Sequence, residues 1–174
     1  MLIGLTGKAG VGKDTVADIL MSHRFCRYAF ALPLKRALSL LGIDEPSSRI
    51  DKESKLPERN YSYRKAAQTL GTEWARELDT EFWINLAKQK IDFSPGVNTV
   101  VTDVRFENEA TFIRESGGVI WHVFGRSTTV DGSAAKHISE KSLEVWSDVD
   151  YVVDNSGTVE DLVRVVSKTL EYKR

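Results

Sequence analysis

An α/β fold with a parallel sheet of about five strands is predicted by two patterns: short apolar runs that alternate with helical periodicities, and a glycine-rich segment between the first such run and the first helix. Strands joined through helices need right-handed crossovers and a sheet covered on both faces. The chain has 174 residues, 41% hydrophobic and 28% charged. That suits a single domain able to bury roughly 70% of its unfolded surface.

The elements follow in order. Residues 2–6 read as a first strand, and 15–23 as a helix whose Val16, Ile19 and Leu20 recur at core-facing spacing. A short strand over 28–32 is stopped by Pro33, which suits the first turn of a helix running to Leu41. Residues 44–60 are polar, contain Pro46 and Pro57 and lack apolar periodicity, so an exposed, mobile connection is predicted. Helical patterns over 63–78 and 80–91 follow, with Gly71 as a candidate break. A β-branched strand over 98–102, a helix over 107–116 and a strand over 119–124 come next. The last strand is expected at 150–153 and the closing helix at 158–171.

Composition excludes several classes. Cys26 is the single cysteine, which rules out a disulfide framework and a cysteine-based zinc site and suggests a reducing cytoplasm. The apolar run at the N-terminus is too short for a signal peptide, and no window approaches a membrane span, so a soluble protein with no membrane partner is expected. Lys and Arg total 24 against 25 Asp and Glu, so no chain-wide footprint for nucleic acid exists. Any anion must be met locally.

Gly7-Lys8-Ala9-Gly10-Val11-Gly12-Lys13 supplies such a place. It fits G-x-x-x-x-G-K, set between a buried strand and a helix N-terminus, where glycines let backbone N–H groups surround a phosphate and Lys13 reaches the terminal phosphates. A dinucleotide fingerprint fits worse, since it needs no lysine. Where the usual loop has Ser or Thr after the lysine, this chain has Asp14, with Thr15 one place on. That displacement favours a small-molecule kinase over a switch GTPase. Asp14 is either a magnesium ligand, direct or through water, or an acid stabilised by the helix dipole.

Asp103 closes a β-branched strand at the edge where open α/β sheets bind ligands, as a magnesium or substrate partner or as a cap before Glu107. Arg105 precedes Glu109 by four residues, a spacing that also suits a solvated ion pair. Arg64, Gln68, Thr72 and Arg76 recur every four residues beside an apolar face, which suits a phosphate and a base or an ordinary surface. Arg126 opens a polar loop over about 126–137, a candidate lid with an arginine for a transferring phosphoryl group; His137 follows. Thr158 reads as a helix N-cap with Asp161 three residues on. No Ser/His/Asp or Cys/His set and no guanine-reading Asn-Lys-x-Asp string is present.

LIGLTGKAGVGKDTVA, AFALPLK, QTLGTEWAR, VVTDVRFENEA, HISE and DNSGTVEDL, in this order across nearly the whole chain, resemble the bacteriophage-type deoxynucleoside monophosphate kinases. The GKDT loop and the DVRF-x-NE string are the specific parts. The resemblance implies a three-layer α/β/α P-loop fold of the adenylate-kinase kind, with a helical substrate-binding insertion over about 33–95 and a lid. It implies transfer of the γ-phosphoryl group of ATP to a deoxynucleoside 5′-monophosphate with Mg²⁺, in a cytoplasmic monomer or homodimer whose partners are small nucleotides. By position, Gly10, Val11, Gly12, Lys13, Asp14 and Thr15 would hold ATP phosphates, with Arg126 acting from the lid and Asn155 and Thr158 near the adenine. Lys13, Arg126 and Asp103 would be catalytic, and Asp14 and Asp103 would meet the metal. Arg64, Gln68, Thr72, Arg76, Asp103, Arg105, Glu109 and His137 would face the monophosphate. Trp74, Trp83 and Phe106 are the rings available to exclude a 2′-hydroxyl.

Two other readings stay open on sequence alone. One is another small-molecule P-loop kinase, such as one acting on dephospho-coenzyme A. The other is an ATP-binding regulatory module, which would need a water-positioning residue and a partner surface rather than a second anion site.

Overall fold

Leu2–Thr6 is buried at every position, as a strand must be when both faces of its sheet are covered. In the structure, a computed structural model that describes residues 1–125, 143 and 150–171, this strand is β1 at the centre of the sheet. The order is β2 (Phe25–Tyr28), β3 (Asn98–Val101), β1, β4 (Val119–Phe124), β5 (Tyr151–Asp154), and every pairing is parallel. Ile3 and Leu5 face α1 (Lys13–Ser22) and α8 (Val159–Glu171), sharing a core with Val16, Leu20, Trp121, Leu162 and Val166. Gly4, between them, faces the other way, where α7 (Glu107–Glu115) brings Ile113 so close that a Cβ on Gly4 would stand 2.6 Å from its Cδ1. Helices thus cover both faces of the sheet, giving three layers.

These elements belong to one of two compact units, Met1–Ala29 with Ile91–Arg174. A buried ionic cluster ties its elements together. Asp150, with a fully buried side chain, accepts from Arg114 Nε of α7 at 3.1 Å and Nη2 at 2.6 Å, and lies 3.1 Å from His122 Nε2 of β4.

The second unit, Phe30–Lys90, contains α2 (Ala31–Leu40), α3 (Arg49–Glu53), α4 (Tyr63–Gln68), α5 (Ala75–Leu78) and α6 (Phe82–Lys88), with a π-helical stretch, Thr69–Trp74, joining α4 to α5. Trp83 of α6 donates its indole N–H to the Gly71 carbonyl of that stretch at 2.8 Å.

Three sequence expectations are corrected. The second strand is Phe25–Tyr28 rather than 28–32, because it ends with β3: Thr102 donates its N–H to the Tyr28 carbonyl at 3.1 Å. The apolar residues beyond Tyr28 serve an amphipathic helix instead, with Leu34 and Leu38 buried and Pro33 in the first turn, where its missing N–H costs nothing. Residues 44–60 are not a structureless connection. Ser48 caps α3 by accepting the Asp51 N–H at 3.0 Å, while Glu45 pairs with Lys35 at 2.9 Å and Lys52 at 2.7 Å. Finally, Gly71 does not break the helix over 63–78, whose ladder widens into i→i+5 bonding and continues.

Candidate active site

Between β1 and α1 the chain turns through Gly7, Gly10 and Gly12, with φ of +139°, +80° and +97°. Side chains rarely adopt such values. Space gives a second reason at the two motif glycines: a Cβ on Gly7 would collide with the Val123 carbonyl, and one on Gly12 with the Asn155 carboxamide. The loop is therefore pressed against the ends of β4 and β5. Val11 turns its side chain into the core, 4% exposed, and its carbonyl accepts from Asn155 Nδ2 at 2.9 Å. The first ladder bond of α1, from the Val16 N–H to the Gly12 carbonyl, is 3.1 Å long, so the first turn of the helix borders the loop.

Lys13, the first residue of α1, folds its side chain back over that loop. Its ammonium donates to the Gly7 carbonyl at 2.7 Å and the Lys8 carbonyl at 3.0 Å. A positive charge and a helix N-terminus thus meet at one place, the arrangement that attracts a polyphosphate. Thr15 follows in the first turn, partly buried. Asp14 projects outward, 81% exposed, and forms an ion pair with Arg27 of β2, which also reaches Asp18 at 3.6 Å. Arg27 escaped the sequence reading, since nothing in the spacing of Asp14 and Arg27 announces that neighbouring elements bring them together.

Asp103 lies just beyond the C-terminal end of β3, partly buried. Burial, together with the Asp103 carboxylate, pushes the Tyr28 hydroxyl up to about 12. Glu109 is 3% exposed and accepts the backbone N–H groups of Arg105 at 2.8 Å and Phe106 at 3.1 Å. It caps α7, a job that fixes the main chain at Arg105 and turns the carboxylate inward. Thr158 caps α8 as its spacing suggests, accepting the Asp161 N–H at 3.2 Å. Asp161 returns the bond by accepting the Thr158 N–H at 3.0 Å, and those bonds hold its carboxyl below the usual range.

In the helical unit, Arg64 pairs with Glu53 of α3, and Arg76 donates to the Thr80 carbonyl at 3.2 Å. The Gln68 Nε2 and the Tyr63 hydroxyl are buried and have no hydrogen-bond partner among the described residues. Burial pushes the Tyr63 hydroxyl up to about 12, helped by the Glu45 charge. The spacing by four that links Arg64, Gln68, Thr72 and Arg76 does not set one face, because the π-helical stretch rotates Thr72 and Arg76 away from the line of the first two. Of the three rings, Trp83 is 7% exposed and bonded to Gly71, which makes it core. Trp74 is 50% exposed, edge-on to Phe82 at 6.0 Å, and Phe106 stands at the head of α7. Arg126, His137 and the lid expected over 126–137 lie outside the described residues.

The family described as Deoxynucleotide monophosphate kinase matches residues 41–166. A protein of Acanthamoeba polyphaga mimivirus described as a deoxynucleotide monophosphate kinase is 30% identical over 92% of this chain and 91% of its own. The deoxynucleoside-5′-monophosphate kinase of Escherichia phage T5 is 28% identical, covering 67% of this chain and 72% of its own. Among solved structures, shikimate kinase from Aquifex aeolicus aligns over 99% of this chain and 98% of its own, with a TM-score of 0.54 at 18% identity. A Thermus thermophilus protein aligns over 100% and 98%, with a TM-score of 0.57 at 18% identity. At that identity the likeness is one of fold.

Proposed function

This chain belongs to the deoxynucleotide monophosphate kinase family, and from that premise we propose how its residues carry the reaction, transfer of the γ-phosphoryl group of ATP to a deoxynucleoside 5′-monophosphate with release of ADP. The observation that carries this reading is the Lys13 ammonium, held 2.7 Å from the Gly7 carbonyl at the head of α1. A polyphosphate entering the loop offers stronger, charged acceptors than two carbonyls, so Lys13 exchanges them for donor phosphate oxygens. The backbone N–H groups at Gly10 to Thr15 and the dipole of α1 stabilise the same charge.

Phosphoryl transfer asks mainly for alignment and charge neutralisation. The attacking oxygen of a monophosphate is already anionic, so no general base is assigned. Asp14, Thr15 and Asp103 are hard oxygen donors. This fits Mg²⁺, which takes one or two carboxylates and completes its shell with phosphate oxygens and water. Bound there with ATP, it would neutralise charge on the donor phosphates. Asp14 would first have to leave Arg27.

On the acceptor side the candidates are taken unit by unit. In the helical unit, Arg64 and Arg76 supply cations for a phosphate, and Gln68 and Thr72 supply hydrogen-bonding groups. In the sheet unit, Asp103 and Arg105 stand at the ligand edge of β3, with Glu109 holding the main chain beneath Arg105. Arg126 is assigned to the transferring phosphoryl group, whose transition-state charge an arginine would stabilise.

A coupled ADP-release assay with ATP and a panel of nucleoside monophosphates tests the proposal. ADP release that depends on a deoxynucleoside monophosphate supports it. Release that is insensitive to every monophosphate would remove it and leave a simple ATPase.

A further inference from the structure

Asn155 follows β5, and the resemblance to family members would place it near an adenine. Its geometry says something else. The residue is 3% exposed, its N–H donates to the Phe124 carbonyl at 2.8 Å, continuing the pairing of β4 and β5, and its side chain crosses to the phosphate-binding loop, where Nδ2 donates to the Val11 carbonyl at 2.9 Å. The carboxamide also fills the space a Cβ on Gly12 would need. Gly10 and Gly12, with φ of +80° and +97°, flank the bonded carbonyl. A loop rich in positive-φ glycines has many alternative conformations, and a buried hydrogen bond at its midpoint selects among them.

We propose that Asn155 is a positioning residue for triphosphate binding. Its carboxamide fixes the Val11 peptide, and so the direction of the neighbouring N–H groups, before a nucleotide arrives. Turned into the loop, the side chain acts on the phosphates through the backbone rather than on the adenine. This rests on the loop being the donor triphosphate site. It further implies that the chain just after β5 and the phosphate loop are held as one piece, since the same residue is bonded to β4 by its main chain and to the loop by its side chain.

The test separates phosphate positioning from base contact by using a ligand with no base. Binding of Mg²⁺-ATP and of Mg²⁺ with inorganic tripolyphosphate is measured for wild-type protein, Asn155→Asp and Asn155→Ala. The first variant keeps the shape but sets an oxygen against the Val11 carbonyl. Both variants are expected to bind both ligands about tenfold more weakly, with the ratio of the two affinities unchanged. Loss of ATP affinity with tripolyphosphate binding intact would overturn the proposal in favour of an adenine contact, as would no change for either ligand. Wild-type protein that binds neither ligand would overturn the loop reading and the proposal with it. If neither variant folds, wild-type protein decides: the Asn155 side-chain amide protons should be protected from solvent exchange in the ligand-free state, and free exchange would overturn the proposal.

Discussion

The Lys13 ammonium donates to the Gly7 carbonyl at 2.7 Å, six residues back along the chain. The cation is thus held over the loop by the loop itself, so removing it alters charge without removing core packing. Lys13→Ala is expected to fold normally but to lose phosphoryl transfer by about 100-fold or more, the equivalent of about 3 to 4 kcal/mol for one preorganised stabilising group. Steady-state kinetics beside a thermal melt measure both. Near-normal activity would take the loop out of the site.

Trp83 and Gly71 make a second such pair, the indole N–H reaching the carbonyl at 2.8 Å in a buried setting. Trp83→Phe keeps most of the ring volume and leaves that carbonyl without its indole donor. It should cost about 1 to 3 kcal/mol in denaturant unfolding, whereas Trp74→Phe, at a half-exposed ring, should cost well under that.

The parts of this molecule legible in the sequence are those written in local pattern. β1, the glycine loop and α1 follow from one apolar run, three glycines and a helical spacing, and the cap of α8 follows from Thr158 and Asp161. What escaped was set by contacts that no periodicity announces, most of them with partners distant in sequence. The strand Phe25–Tyr28 is defined by its register with β3, and no local signal distinguishes Phe25 from Tyr28 as its start. α3 is fixed by Ser48 and by Lys52 meeting Glu45, although the Ser48 to Asp51 spacing was a readable cap. The π-helical stretch leaves no mark in the residue spacing, so recurrence by four projected a single face that the backbone does not make. The place of Lys13 at the head of α1, after the glycine loop, was legible from the motif alone. The turning of Glu109 to α7 and of Asn155 to Val11 was visible only in three dimensions.

The buried carboxylate of Asp150 predicts a large stability effect away from the chemistry. Removing it leaves Arg114, 7% exposed, without its bidentate partner. Asp150→Ala should destabilise the protein by about 1 to 3 kcal/mol, since Arg114 loses its bidentate partner and keeps the ion pair with Glu107 at 3.0 Å. Chemical denaturation measures it, with kcat unchanged in the folded fraction.

Acid should loosen the Glu45 contacts. Burial pushes this carboxyl up, but the hydrogen bonds and charges of Lys52 and Lys35 outweigh it and hold the group below its ordinary value. A folded-state pKa below the unfolded one contributes stability that is fully present above the unfolded pKa and is lost as the pH falls through the folded one. Glu45→Gln should therefore be less stable than wild type by about 0.5 to 1 kcal/mol near neutral pH. The difference should vanish well below the carboxylate range, and urea unfolding at the two pH values compares them.

The most direct measurement follows labelled γ-phosphoryl from ATP into each deoxynucleoside monophosphate and its ribose counterpart. A pocket that packs apolar surface against the sugar makes an added hydroxyl cost about 1 to 3 kcal/mol. The account predicts label transfer to the deoxynucleotides with kcat/KM roughly 10- to 100-fold above the ribonucleotides, and loss of that transfer in Lys13→Ala. Absence of label in any deoxynucleoside diphosphate, with ATP bound by the same protein, would contradict it.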